Sequence, residues 1–327
     1  MRALRWSVIA CLLIAVAGPA HAVEKRGTAA VKFLTLDTNA RQAAVGSAAT
    51  SYMDLGGFSA LTNQASMVFV QGRAVGVNYM KYFADMTYFS GGVVYNMGEQ
   101  GSVGFGLVML GSGDIPYTTA ADPTHQFATS GKNFTVSDLA LGPSYARRLT
   151  DAFSVGASLK YVSEGVGGDA NVGTEDKSVS TLAFDAGTMY TTDFHKFRIG
   201  ATFQNFGPDV KFIKDSNTKQ ALPTTFRIGF AGEPATLPVG SLLISAEIWK
   251  LREFTSVLNF GAEYWVNQYV VGRIGFRSGY SGSEDEGVSA GGGLKWSQGN
   301  YKVGIDYGYT QQDLLDSLHR ISIGISF

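Results

Sequence analysis

The chain has 327 residues and a net charge of −1, and only 16% of its residues are charged, against about 25% in an average soluble domain. The balanced charge gives no indication of nucleic-acid binding. No apolar run reaches the length of about eighteen residues that a transmembrane helix requires. A membrane-spanning form of this chain would therefore be a closed β-barrel, because an open sheet leaves unpaired backbone groups in lipid.

Residues 1–22 have the features of a secretory signal peptide. Arg2 and Arg5 precede an apolar stretch, and Ala20 and Ala22 form a small-x-small cleavage site. Lipoprotein-type cleavage at Cys11 is the less favoured alternative, because it would leave an apolar region of about five residues. Cys11 is the only cysteine, so the mature chain is predicted to contain neither a disulfide nor a cysteine-bound metal.

Residues 23–72 do not alternate as strands do. They are rich in alanine and other small residues, which favours short helices or an irregular compact segment. About fifty such residues are too few to build a substantial core of their own. We therefore expect them to form a small N-terminal hatch, a plug inside the barrel of residues 73–327.

The region 73–327 predicts an all-β fold, an antiparallel transmembrane β-barrel of about fourteen strands. In its clearest hairpin, Leu139, Tyr145, Leu159 and Tyr161 belong to one face and Gly, Ser and Lys to the other. In a soluble sandwich the apolar face would point into a core, whereas in a barrel it points at lipid. The predicted strands lie near 74–82, 86–97, 101–112, 134–148, 153–164, 177–191, 196–206, 222–232, 240–250, 254–265, 269–278, 286–297, 300–309 and 318–327.

Charged residues within these strands fall on the small-residue face. This face would line the lumen, where opposite charges can pair between neighbouring strands. We therefore expect a polar, charged lumen wall, which disfavours an apolar tunnel through the whole barrel but leaves a lateral exit open. The candidates for lumen charges are Arg198, Arg227, Glu263, Arg273, Lys302 and Asp306.

The connections alternate in length, as in bacterial outer-membrane barrels with short periplasmic turns and long outer loops. The final strand carries Ile321, Ile323 and Ile325 on one face and ends on the aromatic Phe327. This ending resembles the recognition signal of the barrel assembly machinery. The predicted long outer loops are Gly113–Asn133, Gly165–Asp176, Gly207–Ala221, Gly279–Gly287 and Thr310–Ser317.

The sequence does not predict an enzyme, a cofactor or a metal site. The histidines of the mature region, His125, His195 and His319, lack the spaced partners of a catalytic triad, and no Gly-x-Ser-x-Gly motif occurs. The acids at 284–286 are consecutive, whereas sites for hard cations use spaced oxygen ligands. A solvated loop is the favoured interpretation of this acidic run.

Several stretches resemble the PorV/PorQ family, within the wider FadL-like group of outer-membrane barrels. In the hatch, Arg41 and Gly46 belong to an Ala-Arg-x-x-Ala-x-Gly pattern. The family's usual Asn-Pro-Ala-Gly is replaced here by Asn63, Gln64, Ala65 and Ser66, which lack the rigid proline and the glycine. The other matching stretches are Gln71–Arg73, Tyr82–Asp85, Gly113–Ile115, Phe134–Glu164, Asn205–Pro208 and Gly261–Trp265.

The resemblance implies a hatch-plugged barrel in the bacterial outer membrane and a role in type IX-like protein secretion and cell-surface attachment. Its implied partners are outer-membrane lipid, the barrel assembly machinery, secreted cargo proteins and their translocon. The alternative is a FadL-like channel for long-chain fatty acids or other hydrophobic small molecules. A purely structural plugged barrel is the third hypothesis.

Overall fold

The computed structural model of the chain describes residues 28–116, 133–168, 177–211, 219–234, 237–252, 256–278, 287–312 and 316–327. The signal peptide, including Ala20 and Ala22, lies outside these residues and stays a prediction. His125, the acidic run 284–286 and most of the predicted outer loops also lie outside them.

The described residues form a closed antiparallel barrel of fourteen long strands, which confirms the predicted fold class. Each long strand pairs with its chain neighbours, and the first pairs with the last. The additional two-residue strand β4 pairs only with β5. The strands are β1 (Arg73–Lys81), β2 (Thr87–Asn96), β3 (Ser102–Gly111), β4 (Ile115–Pro116), β5 (Asn133–Arg148), β6 (Phe153–Gly168), β7 (Lys177–Thr191), β8 (Arg198–Phe206), β9 (Thr225–Gly232), β10 (Ser241–Leu251), β11 (Val257–Trp265), β12 (Val270–Ser278), β13 (Val288–Gln298), β14 (Tyr301–Thr310) and β15 (Leu318–Ser326).

The two faces of the wall follow the sequence alternation. Tyr145, Leu159 and Tyr161 of the β5–β6 hairpin are exposed on the outside, whereas Asp138 and Ser158 are buried inside. A soluble sandwich would bury the apolar face instead. The apolar face therefore meets lipid, and the backbone groups of the wall are satisfied by pairing around the closed ring.

The two ends of the barrel differ. At the turn end, where β1 begins and β15 ends, the connections include 97–101, 149–152 and 299–300. The opposite end is the loop end. There β6 continues to Gly168, so part of the predicted loop Gly165–Asp176 is strand. Its neighbours β5 and β7 are also long, and backbone pairing with them extends β6 beyond the point where its side chains alternate.

Residues 28–72 lie inside this barrel. They begin at the loop end, where the Ala30 N–H donates to the Ala221 carbonyl at 3.0 Å and the Val31 N–H to Glu164 Oε2 at 2.5 Å. No helix among the described residues has the length and apolar character needed to span a membrane. The helices of this segment are Lys32–Thr35, Ala40–Ala44, Gly56–Phe58, Ser59–Thr62 and Gln64–Phe69.

Inward-facing glycines allow the hatch backbone to approach the wall closely. A Cβ added to Gly275 would lie 2.0 Å from the Gly46 nitrogen, and one added to Gly200 would lie 2.4 Å from the Thr50 carbonyl oxygen. The small-residue face of the strands is therefore a seat for the hatch rather than the lining of an open channel. Other inward-facing glycines in close contact with the hatch are Gly92, Gly156, Gly187, Gly261 and Gly308.

Candidate functional site: the contact between hatch and barrel wall

Arg41, predicted from the hatch motif, joins the hatch to β11. Its Nε and Nη2 donate to the two carboxylate oxygens of Glu263 at 2.8 and 2.7 Å, and its Nη1 donates to the Asp54 carbonyl at 2.6 Å. Burial alone would lower the pKa of Arg41, but the Glu263 carboxylate raises it above its ordinary value. This bidentate pair of hydrogen bonds fixes both the position and the orientation of the Arg41 guanidinium.

The ion pair continues along the wall as a network. Arg273 Nε donates to Glu263 at 2.6 Å, and Arg273 Nη1 donates to Asp306 at 2.7 Å. The charges alternate in sign from Arg41 through Glu263 and Arg273 to Asp306, so each buried ion faces at least one opposite charge. Such compensation is what makes buried charges tolerable.

Tyr52 packs beneath this network. Its ring lies 5.0 Å from the Arg41 guanidinium, and its hydroxyl lies 3.3 Å from Ser245 Oγ. Burial raises the pKa of Tyr52 to about 12, and the nearby Glu263 carboxylate acts in the same direction. The phenol is therefore neutral at any physiological pH.

A second charged contact lies beside the first. Arg277 reaches Asp37 at 3.4 Å and also Ser47 Oγ. Nearby, Arg227 pairs with Glu247 at 3.2 Å, and Glu247 accepts the Thr50 N–H at 3.1 Å. Both contacts tie hatch residues to the wall between β9 and β12.

The structure thus brings most of the predicted lumen charges together. Arg227, Glu263, Arg273 and Asp306 belong to ion-paired groups at the hatch. Arg198 and Lys302 have no ion pair within the part of the chain that the structure describes; Arg198 is half-buried, and Lys302 is exposed at the turn end. Sequence reasoning did not select Asp37, Glu247 or Arg277 as hatch partners, because nothing local links positions so far apart.

Asn63 holds the segment in which the family's proline and glycine are replaced. Its Oδ1 accepts the Ala65 N–H at 3.1 Å, and its Nδ2 donates to the Thr50 and Thr188 carbonyls at 2.8 and 3.1 Å. Ser66 Oγ donates to the Asn63 carbonyl at 2.8 Å, and Gln64 Nε2 donates to Ala60. Hydrogen bonds from a buried asparagine therefore fix this turn without a rigid proline.

The flank of the lumen beside β1–β7 is apolar at the loop end, so the expectation of a polar lumen wall throughout is wrong here. Phe33 packs with the inward-facing Met80, Tyr88, Val108 and Leu110. The alternation marks which face points inward, but it does not exclude large apolar residues from that face. A buried N-terminal segment supplies the packing partners that make them stable there.

A cavity of about 40 Å³ remains between Phe33 and Leu34 of the hatch and this flank. Lys160 lines it and is paired with Asp185 at 2.9 Å and with Asn205 Oδ1 at 2.7 Å. The β7–β8 register shifts at this point, and Asn205 has φ of 61°. The space is enough for a few water molecules and is far smaller than a drug-sized ligand site of about 300 Å³ or more.

The final strand, β15, closes the barrel by pairing with β1. Ile321, Ile323 and Ile325 face outward, and Phe327 exchanges backbone hydrogen bonds of 2.9 and 2.8 Å with Arg73 at the turn end. His195 lies in a turn at the same end, and the outward-facing His319 contacts Tyr307 near the loop end. The described residues contain no group of three His, Cys, Asp or Glu side chains that could hold a metal.

Comparison with known proteins gives a family and a fold. The model of the family described as "Type IX secretion system protein PorV" matches residues 20–255. Curated protein sequences give no significant match. The toluene transporter TbuX of Ralstonia pickettii is similar in structure, with a TM-score of 0.59, 14% identity, and coverage of 88% of this chain and 96% of that one.

Two further solved structures have the same fold. The toluene transporter TodX of Pseudomonas putida has a TM-score of 0.60 and 11% identity, with coverage of 88% of this chain and 96% of its own. A FadL homologue of Pseudomonas aeruginosa has a TM-score of 0.57 and 12% identity, with coverage of 89% and 98%. At these identities the likeness establishes the architecture and not the transported compound.

Proposed function

Because the chain belongs to the PorV family of type IX secretion system proteins and is a bacterial outer-membrane barrel, we propose that it takes part in secretion as a closed barrel. In this role it presents its loop end to secreted cargo and to the translocon and surface-attachment machinery. The short turns face the periplasm, as they do in other bacterial barrels. The proposal includes no catalytic step.

The sealed lumen is the observation that supports a closed barrel. Every residue from Gln42 to Tyr52 is buried, and these residues contact the wall through hydrogen bonds, such as those with Glu247 and Arg277, and through close glycine contacts. The cavity of about 40 Å³ beside Phe33 is too small to pass a folded or an extended polypeptide. Cargo would therefore be handled outside the lumen, at the loops.

A disulfide between hatch and wall tests this proposal. A Cβ added to Gly229 would lie 3.3 Å from the Thr50 Cβ, close to the spacing of about 3.5–4.5 Å in disulfides. The variant Thr50→Cys/Gly229→Cys would lock the hatch, and Cys11 is lost if the signal peptide is cleaved as predicted. We expect the oxidised variant to support cargo secretion as well as the wild-type chain does.

The two single-cysteine variants and the reduced double variant are the controls. Loss of secretion on oxidation, restored by a reductant, would contradict a closed barrel. Deletion of the gene should leave cargo in the periplasm, and crosslinking in intact cells should connect the barrel to translocon or attachment proteins. Secretion that is normal without the gene would remove the proposal altogether.

Uptake of a hydrophobic compound is the second candidate function. The apolar flank around Phe33, Tyr88 and Val108 favours it, as does the fold shared with toluene transporters. This role requires the hatch to move, because the present cavity does not admit such a molecule. The same disulfide separates the two functions, since locking the hatch should abolish uptake of a radiolabelled fatty acid or toluene. Unchanged uptake in a deletion strain would eliminate this candidate.

Insertion by the barrel assembly machinery is part of the same proposal. The outward-facing Ile321, Ile323 and Ile325 with the terminal Phe327 are its proposed signal. Deletion of Phe327 should lower the amount of heat-modifiable protein in the outer membrane. A chain with one alanine added after Phe327 has nearly the same length but no longer ends on the aromatic residue, and it should therefore show a similar defect.

A further inference from the structure

The turn end of the lumen opens into a basin with basic walls. Arg148 and Lys302 line a cavity of about 600 Å³ whose floor includes Phe69 and Gln71 of the hatch. Lys302 also lines a narrower cavity of about 130 Å³ together with Lys295. The two cavities share the lining residues Asp54, Lys302 and Ser326, and we call them together the turn-end vestibule.

Three cations of the vestibule form no ion pair with any described residue. Lys295 pairs in register with Gly304, and Ser297 pairs with Lys302, so the two lysines are diagonal neighbours on the inward face at about 7–8 Å or less. Within the described ranges, neither lysine forms an ion pair, and neither does Arg148. Lys302 donates to Gln71 Oε1 at 2.8 Å, Lys295 lies 4.7 Å from the centre of the Trp265 ring, and Arg148 lies over Phe69.

The acidic side chains of the vestibule offset these cations only in part. Asp306 is held by Arg273 at 2.7 Å and is therefore already compensated. Asp54 lines both cavities and attracts Lys295 without forming an ion pair with it, and its Oδ1 accepts the Gly56 N–H. The vestibule consequently carries excess positive charge, and low-dielectric walls around such a cleft focus its field.

We propose that the turn-end vestibule binds an acidic segment of a periplasmic protein. Arg148 on β5 and the lysines on β13 and β14 lie on different sides of an open basin, so one small anion would not contact them all. An extended peptide with several carboxylates can reach each of them. Phe69 and Val68 on the floor offer apolar surface between the charges. The proposal requires the turn end to face the periplasm, but it does not depend on the secretion role.

Binding of a synthetic peptide tests the proposal. The probe is a fluorescein-labelled dodecapeptide of alternating glutamate and glycine, and the purified full chain in detergent is titrated against it by fluorescence anisotropy. We expect saturable binding that weakens by about tenfold or more in the triple variant Arg148→Gln/Lys295→Gln/Lys302→Gln, since this variant removes the three positive charges that would attract the peptide carboxylates. Lys196→Gln is the control, because Lys196 is an exposed turn-end cation outside the vestibule, paired with Glu233.

Asp54→Asn should tighten peptide binding, because it removes a carboxylate that repels the peptide. A misfolded variant would instead lose binding, so misfolding cannot produce this result. Absence of binding by the wild-type chain, or equal binding by the triple variant with its heat-modifiable mobility unchanged, would overturn the proposal. If inorganic phosphate binds as tightly as the peptide, a single-anion site explains the data and the peptide proposal fails. Tighter binding by Asp54→Asn together with loss in the triple variant would establish it.

Discussion

The hatch is held differently on its two flanks. On the charged flank, beside β9–β14, a few directional ion pairs such as Arg41–Glu263 connect it to the wall. On the apolar flank, beside β1–β7, Phe33 packs mainly against apolar side chains and forms no ion pair with the wall. Ion pairs fix orientation because they require specific partners at specific distances, whereas apolar packing is non-directional and requires only that the space be filled. The charged flank therefore sets where the hatch sits, and the apolar flank fills the remaining space.

Breaking the charged flank should have the largest effect. Glu263→Gln leaves Arg41 without its buried anion and Arg273 with Asp306 alone, so we expect a loss of about 3–5 kcal/mol in the free energy of unfolding. The measurement is the temperature at which the folded band is lost in heat-modifiable electrophoresis. Trypsin cleavage after Arg41, which is protected while the hatch is seated, would report its release.

The exposed pair Lys81–Asp85 supplies the control for this substitution. Asp85→Asn removes an ion pair that water already screens, so its unfolding temperature should equal that of the wild type. Equal unfolding temperatures for Glu263→Gln and Asp85→Asn would mean that the buried network does not hold the hatch.

On the apolar flank, Phe33→Ala should cost about 3 kcal/mol in the free energy of unfolding, since it removes a buried ring and enlarges an existing cavity. We expect protease sensitivity to rise near Lys32 while Arg41 stays protected, because the charged flank is intact. Phe83→Ala, in an exposed turn at the loop end, is the matched control and should cost less. Simultaneous release of both sites by Phe33→Ala would contradict two separable flanks.

The close glycine seat gives a smaller test with a matched pair on one strand. In Gly275→Ala the new Cβ would lie 2.0 Å from the Gly46 nitrogen, whereas around Gly272, on the outward face of β12, a Cβ meets no atom within 4 Å. We expect Gly275→Ala to cost about 1–3 kcal/mol by overpacking and Gly272→Ala to be neutral. Urea denaturation of the refolded protein in detergent measures the stability of both variants. Equal midpoints would show that the hatch moves away from the new Cβ without a loss of stability.

The smallest effect concerns pH. Burial raises the pKa of Tyr52 to about 12, above the ordinary value of about 10 for an exposed tyrosine. The unfolded chain therefore releases this proton first, and Tyr52 should lower stability as pH rises from about 10 to 12, by about 1.4 kcal/mol at pH 11. The difference between wild type and Tyr52→Phe should be constant below pH 10 and shrink above it. A difference that does not change with pH would refute the buried phenol as the cause.

The sequence by itself determined the class of architecture. Period-2 alternation in segments of about ten residues is local information, and it identified the fourteen wall strands, their lipid face and the outward-facing Ile321, Ile323 and Ile325. It also placed Arg227, Glu263, Arg273 and Asp306 on the inward face. Each of these conclusions depends only on residues adjacent along the chain.

The tertiary structure alone decided which of those residues meet. Arg41 and Glu263 are 222 positions apart, and Asp37 and Arg277 are 240 apart, so no local pattern couples them. The apolar flank was missed because an inward-facing position becomes buried only when the hatch covers it. Barrel closure and hatch insertion are non-local events, and they bring the hatch backbone into close contact with the glycines of the lumen-facing side.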